Sequence, residues 1–97
     1  MSKGYWIVLY RSIMNPAAVA EYAPLAGAVI RERGGRVLVR GGTVHPYEAG
    51  INQRSVVIEF ESVDAAVGTY ESPAYQAALR KLDGAVERDV RIVEGVA

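Results

Sequence analysis

The stretch Tyr5-Trp6-Ile7-Val8-Leu9-Tyr10 decides the fold of this 97-residue chain. Its six side chains are β-branched, aromatic or aliphatic without interruption, which is typical of a strand that is buried on both faces. The run is too short for the apolar region of a signal peptide or for a membrane span. We therefore expect a central strand, and the elements that follow it along the chain should define the rest of the sheet.

A helix and a second strand follow the first strand. Asn15-Pro16 is a typical helix start, and apolar side chains then recur at three- and four-residue spacing. Pro24 lies inside this helix, so we expect a kink or a break there. A glycine pair ends the helix, and residues 36–40, with the sequence Arg-Val-Leu-Val-Arg, form the second strand.

The second half of the chain repeats this order. Residues 43–54 are rich in turn-forming side chains and predict an extended hairpin connection. Residues 55–60 form a third strand, Ser62 caps a helix, and a second helical piece begins at Pro73. Residues 90–93 form a short last strand. The resulting order, β-α-β-β-α-β, predicts a ferredoxin-like α+β sandwich: a four-stranded antiparallel sheet in the order 4-1-3-2, with the helices on one face.

Strand alternation divides the other side chains between two sheet faces. The face expected to meet the helices collects Val37, Val39, Val56, Ile58, Phe60, Val90 and Ile92. The opposite face collects Arg36, Leu38, Arg40, Ser55, Val57, Glu59, Asp89, Arg91 and Val93. Since the first strand is apolar on both faces, this opposite face would expose more apolar surface than soluble monomers usually tolerate. We expect the same face of a second copy to cover it, in a two-fold homodimer with a barrel-like space between the sheets.

Composition narrows the possible partners. Eleven basic and eleven acidic residues give a formal net charge of zero, which lacks the basic footprint that nucleic acid or an anionic membrane requires. The absence of cysteine excludes disulfides and thiol chemistry, and it is compatible with the cytoplasm, where we place the protein. With 51% apolar residues, the chain has enough for one core and a single domain over residues 1–97.

The net charge of zero is the sum of two oppositely charged halves of the chain. Residues 1–54 carry a net charge of +4 and residues 55–97 one of −4. In the predicted strand order, this asymmetry puts Arg36 and Arg40 on an edge strand beside Glu59 on the neighbouring strand. It therefore favours ion pairs within or between protomers over binding of a polyanion.

Five stretches of the sequence together resemble the bacterial domain-of-unknown-function 1330 family over essentially the whole chain. They are Lys3-Gly4-Tyr5-Trp6, residues 34–42, residues 56–60, Ser72-Pro73-Ala74-Tyr75-Gln76 and Ile92-Val93-Glu94-Gly95. The resemblance implies membership of the dimeric α/β-barrel superfamily, hence a ferredoxin-like protomer and a sheet-to-sheet dimer. Branches of that superfamily include small-quinone monooxygenases, haem-degrading enzymes, muconolactone isomerases and stress-responsive proteins. Fold alone transfers none of these activities.

Three side chains, Arg40, Glu59 and His45, are candidates for acid–base or anion-stabilising chemistry. We expect Arg40 and Glu59, with Arg91, to project into the space between the sheets, where a guanidinium could hold a carboxylate or enolate oxygen. The alternative is a set of partly buried ion pairs that fixes the register of the dimer. Glu59, on a half-apolar wall, is a candidate general base. His45, the one imidazole, is another, and its alternative is a solvated loop histidine.

The remaining ligand-binding candidates are Trp6, Leu38, Val57 and Arg91. Trp6, or Tyr5 in the other register of the first strand, would give the cavity a wall suited to a planar apolar ligand. One histidine without cysteines has no metal-site spacing, so we expect no metal and no cofactor. Gly41-Gly42 lacks the spacing of a phosphate-binding loop.

We therefore predict a homodimer that binds a small, partly apolar organic molecule between its sheets. Two alternatives stay open. One is a cofactor-independent enzyme, resembling the monooxygenases or isomerases, that uses Arg40 with Glu59 or His45. The other is a non-catalytic stress-response or structural dimer, in which the charged side chains set the geometry of the interface.

Overall fold

The computed structural model describes residues 2–97. In chain order, the elements are β1 Gly4–Ile13, α1 Pro16–Glu32, β2 Arg36–Arg40, β3 Ser55–Phe60, α2 Val63–Glu71, α3 Pro73–Leu79, a 3₁₀ helix Arg80–Leu82 and β4 Val86–Glu94. The strands form one antiparallel sheet in the order β2-β3-β1-β4. This confirms the predicted α+β class and strand order; the second helical region is divided into α2 and α3.

Helix starts follow from side chains that accept backbone hydrogen bonds. The Ser62 hydroxyl accepts the N–H of Ala65 at 3.0 Å, and the Ser72 hydroxyl accepts the N–H of Tyr75 at 3.2 Å. The Asn15 side chain does the same for the first turn of α1. Each bond satisfies one of the N–H groups that the first turn of a helix leaves without a partner.

We expected a kink or a break at Pro24, and the break does not occur, because α1 continues from Pro16 to Glu32. A proline in a helix interior removes one donor and weakens the helix locally. The buried face of α1, which includes Tyr22, Ala26 and Ile30, packs in the core on both sides of this point. Tertiary packing therefore outweighs the local cost of the proline.

All helices cover the same face of the sheet. In β1 the buried side chains are Trp6, Val8 and Tyr10, which share one core with residues of α1, α2 and α3. The indole nitrogen of Trp6 donates a hydrogen bond to the Ala66 carbonyl of α2 at 2.9 Å. Alternation along β1 sends Tyr5 and its neighbours at every second position to the other face, which no helix covers. We call this the open face.

A β-bulge in β2 changes which side chains reach the open face. Val39, rather than Leu38, pairs with Val57, and Arg40 pairs with Val56. Leu38 is thus the extra residue, and alternation reverses after it. The expectations that Val39 meets the helices and that Arg40 projects from the open face are therefore wrong: Val39 lies on the open face and Arg40 on the helix side.

The connection between β2 and β3 folds back at Tyr47, whose carbonyl accepts the N–H of Gly50 at 2.8 Å. Glu48 in this turn has a positive φ of 52°. We call residues 43–54 the β2–β3 loop. Within the described residues, no helix has both the length and the apolar character needed to cross a membrane.

Candidate functional site

The centre of the open face is apolar. Antiparallel pairing places Val39, Val57 and Ile7 in one row across β2, β3 and β1. Leu9 and Val93 extend this surface along β1 and β4, and their side chains are 40% and 47% exposed. No helix or strand within residues 2–97 covers these side chains, so they form the apolar patch that the sequence predicts.

Charged side chains on the same face are paired locally. Glu59 accepts a hydrogen bond from the Tyr5 hydroxyl at 2.8 Å, and its other oxygen lies 3.6 Å from the Arg36 guanidinium. Arg91 makes two bonds to the carboxylate of Asp89, at 3.1 and 3.0 Å. The bond to Glu59 raises the pKa of the Tyr5 hydroxyl, and the Asp89 carboxylate raises the pKa of Arg91. These pairs leave the centre of the face without net charge.

A groove of about 460 Å³ lies between the β2–β3 loop and one end of the open face. Leu9 and Arg91 line it from the sheet, and His45, Tyr47 and Ile51 line it from the loop. Tyr47 is 79% exposed and Ile51 49% exposed, although both are large apolar side chains. The groove therefore combines apolar walls with an imidazole and a guanidinium.

The structure brings together only part of the predicted catalytic set. His45 and Arg91 line the same groove. Glu59 lies outside the groove. It pairs with Tyr5, whereas the groove is lined by Leu9, which is four residues further along β1. Four residues of a strand span about 13 Å. Arg40 is on the other side of the sheet. Arg40, Glu59 and His45 therefore do not converge on one point.

The predicted ligand-binding residues also divide between the two faces. Val57 and Arg91 lie on the open face, but Trp6 is only 1% exposed and packs in the core. Tyr5 takes the place on the open face that we expected for Trp6, since β1 adopts the other of the two registers that the sequence left open. Leu38 is 46% exposed at the bulge and lines neither the groove nor the cavity described next.

A second, smaller cavity of about 50 Å³ lies on the helix side, between α1 and the sheet. Its lining includes Arg88 of β4, which is not among the site residues predicted from the sequence. Alternation could have found it, since Arg88 precedes Val90 by two positions and thus belongs to the helix-facing set. It was missed because the last strand was expected to begin only at Val90, whereas β4 begins at Val86.

Within the described residues 2–97, no group of three or more His, Cys, Asp or Glu side chains is placed to hold a metal ion.

Comparison with known families gives a match over nearly the whole chain. The family described as Domain of unknown function (DUF1330) matches residues 3–96. No curated protein matches the chain.

Solved structures share the fold at low sequence identity. A protein of unknown function from Rhodopseudomonas palustris is 21% identical, with a TM-score of 0.74, and the match covers 99% of this chain and 84% of that one. A candidate antibiotic biosynthesis monooxygenase from Caulobacter crescentus is 19% identical, with a TM-score of 0.60 and coverage of 99% and 91%. A dimeric ferredoxin-like protein of unknown function from Thermobifida fusca is 16% identical, with a TM-score of 0.57 and coverage of 95% and 90%. These likenesses establish the ferredoxin-like fold and carry no activity.

Proposed function

The chain belongs to the Domain of unknown function (DUF1330) family, and we propose that it forms a homodimer through its open faces and binds a small, partly apolar organic molecule in the groove beside the β2–β3 loop. The observation that carries this proposal is the row Val39, Val57 and Ile7, which is apolar and has no cover within the protomer. A surface of this kind marks an interaction site in soluble proteins.

A second copy of the same chain suits this surface better than a charged partner does. The local pairs Arg36–Glu59 and Arg91–Asp89 cancel their own charges, so two copies can approach without net repulsion. Two-fold pairing also buries the same apolar row on both protomers, which is the commonest form of symmetric assembly. The Thermobifida fusca protein of similar fold is described as dimeric, which supports the proposal.

The chemistry of the groove indicates the ligand class. Leu9, Tyr47 and Ile51 offer apolar contacts, and a partner sheet would exclude water from them. Two N–H groups of Arg91 bond Asp89, which leaves further donors of its guanidinium for an oxygen of the ligand. The imidazole of His45, which also lines the groove, adds a side chain that can donate or accept a hydrogen bond. A small molecule with an apolar body and one or two oxygen acceptors fits these groups.

Binding is favoured over the enzymatic alternative. That alternative requires Arg40 to stabilise an anion next to Glu59 or His45, but Arg40 lies on the helix side of the sheet. Glu59 is already bonded to Tyr5 and lies next to Arg36. Within our proposal, the charged pairs of the open face therefore fix the geometry of the dimer and do not perform a reaction.

Native mass spectrometry of protein purified from cells tests both parts of the proposal. We expect a species of twice the chain mass of 10.5 kDa that carries an additional small mass. The double variant His45→Ala with Tyr47→Ala should keep the dimer and lose the additional mass. Met14→Ala, which replaces another exposed apolar side chain away from the groove, should keep both. A monomer would contradict the dimer, and a ligand retained by the double variant would contradict the groove as its site.

A further inference from the structure

We propose that the cavity between α1 and the sheet is a second ligand site, which binds a small monocarboxylate with an apolar body. It lies on the opposite side of the sheet from the groove and is formed within one protomer. The proposal therefore does not depend on the dimer or on the ligand of the groove.

Three arginines line this cavity: Arg40, Arg54 and Arg88. Strand pairing places them in a row at one end of the sheet, because Arg88 pairs with Tyr10, and the backbone N–H of Tyr10 donates to the Arg54 carbonyl at 3.0 Å. Arg40 reaches the same side as a result of the bulge in β2.

The described lining of the cavity holds no Asp or Glu side chain to offset these three charges. The four ion pairs found within residues 2–97 use other basic residues, namely Lys3, Arg11, Arg36 and Arg91. The contrast with the open face is clear, since there the basic side chains that flank the apolar row have carboxylate partners. The cavity thus has a positive potential that the surrounding protein does not neutralise.

Arg88 is the central group of this site. Its guanidinium lies 5.5 Å from the ring centroids of both Tyr10 and Tyr22 and donates long hydrogen bonds, 3.4 Å each, to the hydroxyls of Tyr22 and Tyr75. A guanidinium has five N–H donors, so most of its hydrogen-bonding capacity is unused. A partly buried cation without a counter-ion is costly, and a carboxylate is the partner whose planar geometry suits it best.

The neighbouring phenols do not supply the missing negative charge. Burial and the adjacent Tyr75 raise the pKa of the Tyr22 hydroxyl far above its ordinary value of 10.0, by more than the nearby Arg88 lowers it. The hydroxyls of Tyr22 and Tyr75 bond each other, which uses one of their two protons. Within the described residues, the other proton has no acceptor. Tyr22 lines the cavity and Tyr75 does not, so when Tyr75 donates the bond between them, the Tyr22 proton is the one that a carboxylate oxygen can accept.

The rest of the lining selects an apolar body of modest size. Besides Trp6, it includes the aliphatic side chains of Val8 and Ile58, and small residues of α1, among them Ala23 and Gly27, leave the space open. A volume of about 50 Å³ has room for roughly three to five water molecules. This suits the body of hexanoate or benzoate. Inorganic phosphate would place only charge against apolar walls.

Isothermal titration calorimetry with hexanoate tests the site, and the fluorescence of Trp6, the one tryptophan of the chain, reports on the cavity directly. We expect hexanoate to bind at one site per chain and to change the Trp6 emission. Hexanamide, which has the same body without the charge, and inorganic phosphate, which has charge without the body, should each bind at least about tenfold more weakly. Absence of hexanoate binding, or equal binding of hexanamide, would overturn the proposal.

Substitutions then separate the site from general charge effects. Arg88→Gln should weaken hexanoate binding by about tenfold to a hundredfold, since it removes charge-assisted hydrogen bonds. Arg80→Gln removes the same charge from an exposed position outside the cavity and should leave binding unchanged. Should Arg88→Gln fail to fold, the double variant Arg40→Gln with Arg54→Gln keeps Arg88 and still removes two of the three charges. Unchanged binding in that double variant, or an equal loss in Arg80→Gln, would contradict the assignment.

Discussion

The hydroxyl oxygens of Tyr22 and Tyr75 lie 2.5 Å apart and connect α1 to α3 inside the core. Their rings meet edge to face, with centroids 6.2 Å apart, and the Tyr75 ring lies 5.0 Å from that of Trp6. The packing of the two helices on the sheet therefore contains a polar contact within an aromatic cluster. Because such contacts have defined geometry, they fix the relative position of the helices more strictly than apolar packing does.

Loss of this contact should destabilise the fold. We expect Tyr22→Phe to lower the free energy of unfolding by about 1–2 kcal/mol, because it leaves the buried Tyr75 hydroxyl with fewer partners. Urea denaturation measures the change. Tyr47→Phe removes a hydroxyl from a side chain that is 79% exposed and should alter stability by less than about 0.5 kcal/mol. Equal effects of the two substitutions would show that the Tyr22–Tyr75 bond does not stabilise the fold.

The same tyrosine should link stability to alkaline pH. Burial raises the pKa of Tyr22 in the folded state, so the neutral phenol is favoured by folding. The resulting stabilisation is fully present below the unfolded-state pKa of 10.0 and decreases as the pH rises above it. Urea midpoints measured at about pH 8 and about pH 11 should therefore fall more in the wild type than in Tyr22→Phe. A parallel fall in both proteins would contradict this origin.

On the open face, the hydrogen bond from Tyr5 to Glu59 should be visible in the titration of the phenol. The bond raises the pKa of Tyr5 above 10.0. Glu59→Gln removes the charge of the acceptor and should bring this pKa back towards 10.0. Tyrosine ring carbon shifts followed by NMR across the alkaline range measure it. Asp89→Asn serves as the control, because it removes a carboxylate that is bonded to Arg91 and not to Tyr5. If both variants changed the pKa of Tyr5 equally, the bond to Glu59 would not be the cause of the raised pKa.

Two glycines should respond in opposite ways to the same substitution. A Cβ at Gly4 would lie 2.5 Å from the Ser62 carbonyl oxygen, where β1 passes the start of α2, so Gly4→Ala should cost about 1–3 kcal/mol of stability. A Cβ at Gly27 would meet nothing within 4 Å. Gly27→Ala in the middle of α1 should therefore stabilise the fold by about 0.5–1 kcal/mol. Thermal denaturation distinguishes the two, and a tolerated Gly4→Ala would contradict the close approach of β1 to α2.

Much of this fold follows from local sequence signals. β2 and β3 have the bounds that were predicted, Ser62 caps a helix as expected, and α3 begins at Pro73 as expected, because these features depend on near neighbours in the chain. The unbroken course of α1 through Pro24 could not be predicted from local signals, because the packing of Tyr22 and Ile30 in the core outweighs the low helix propensity of proline.

The composition of the candidate site was harder to predict, for two geometric reasons. A single extra residue, Leu38, reverses the alternation of β2 and moves Arg40 from the expected face to the other. No residue type in the Arg-Val-Leu-Val-Arg stretch signals this bulge. Strand β4 also begins earlier than expected, and the part that was missed contains Arg88. Both omissions concern the helix side, which is why the arginine-lined cavity emerges only from the structure.

The mass of the protein in solution tests the central claim, which is that the open face joins two copies of the chain. We expect multi-angle light scattering at micromolar concentration to give twice the chain mass of 10.5 kDa. Leu9 on the open face and Leu25 on α1 are similarly exposed, at 40% and 46%, and form a matched pair of sites. Leu9→Asp should give the monomer mass, and Leu25→Asp should give the dimer mass. A wild-type protein at 10.5 kDa, or a Leu9→Asp variant that stays dimeric, would contradict the account.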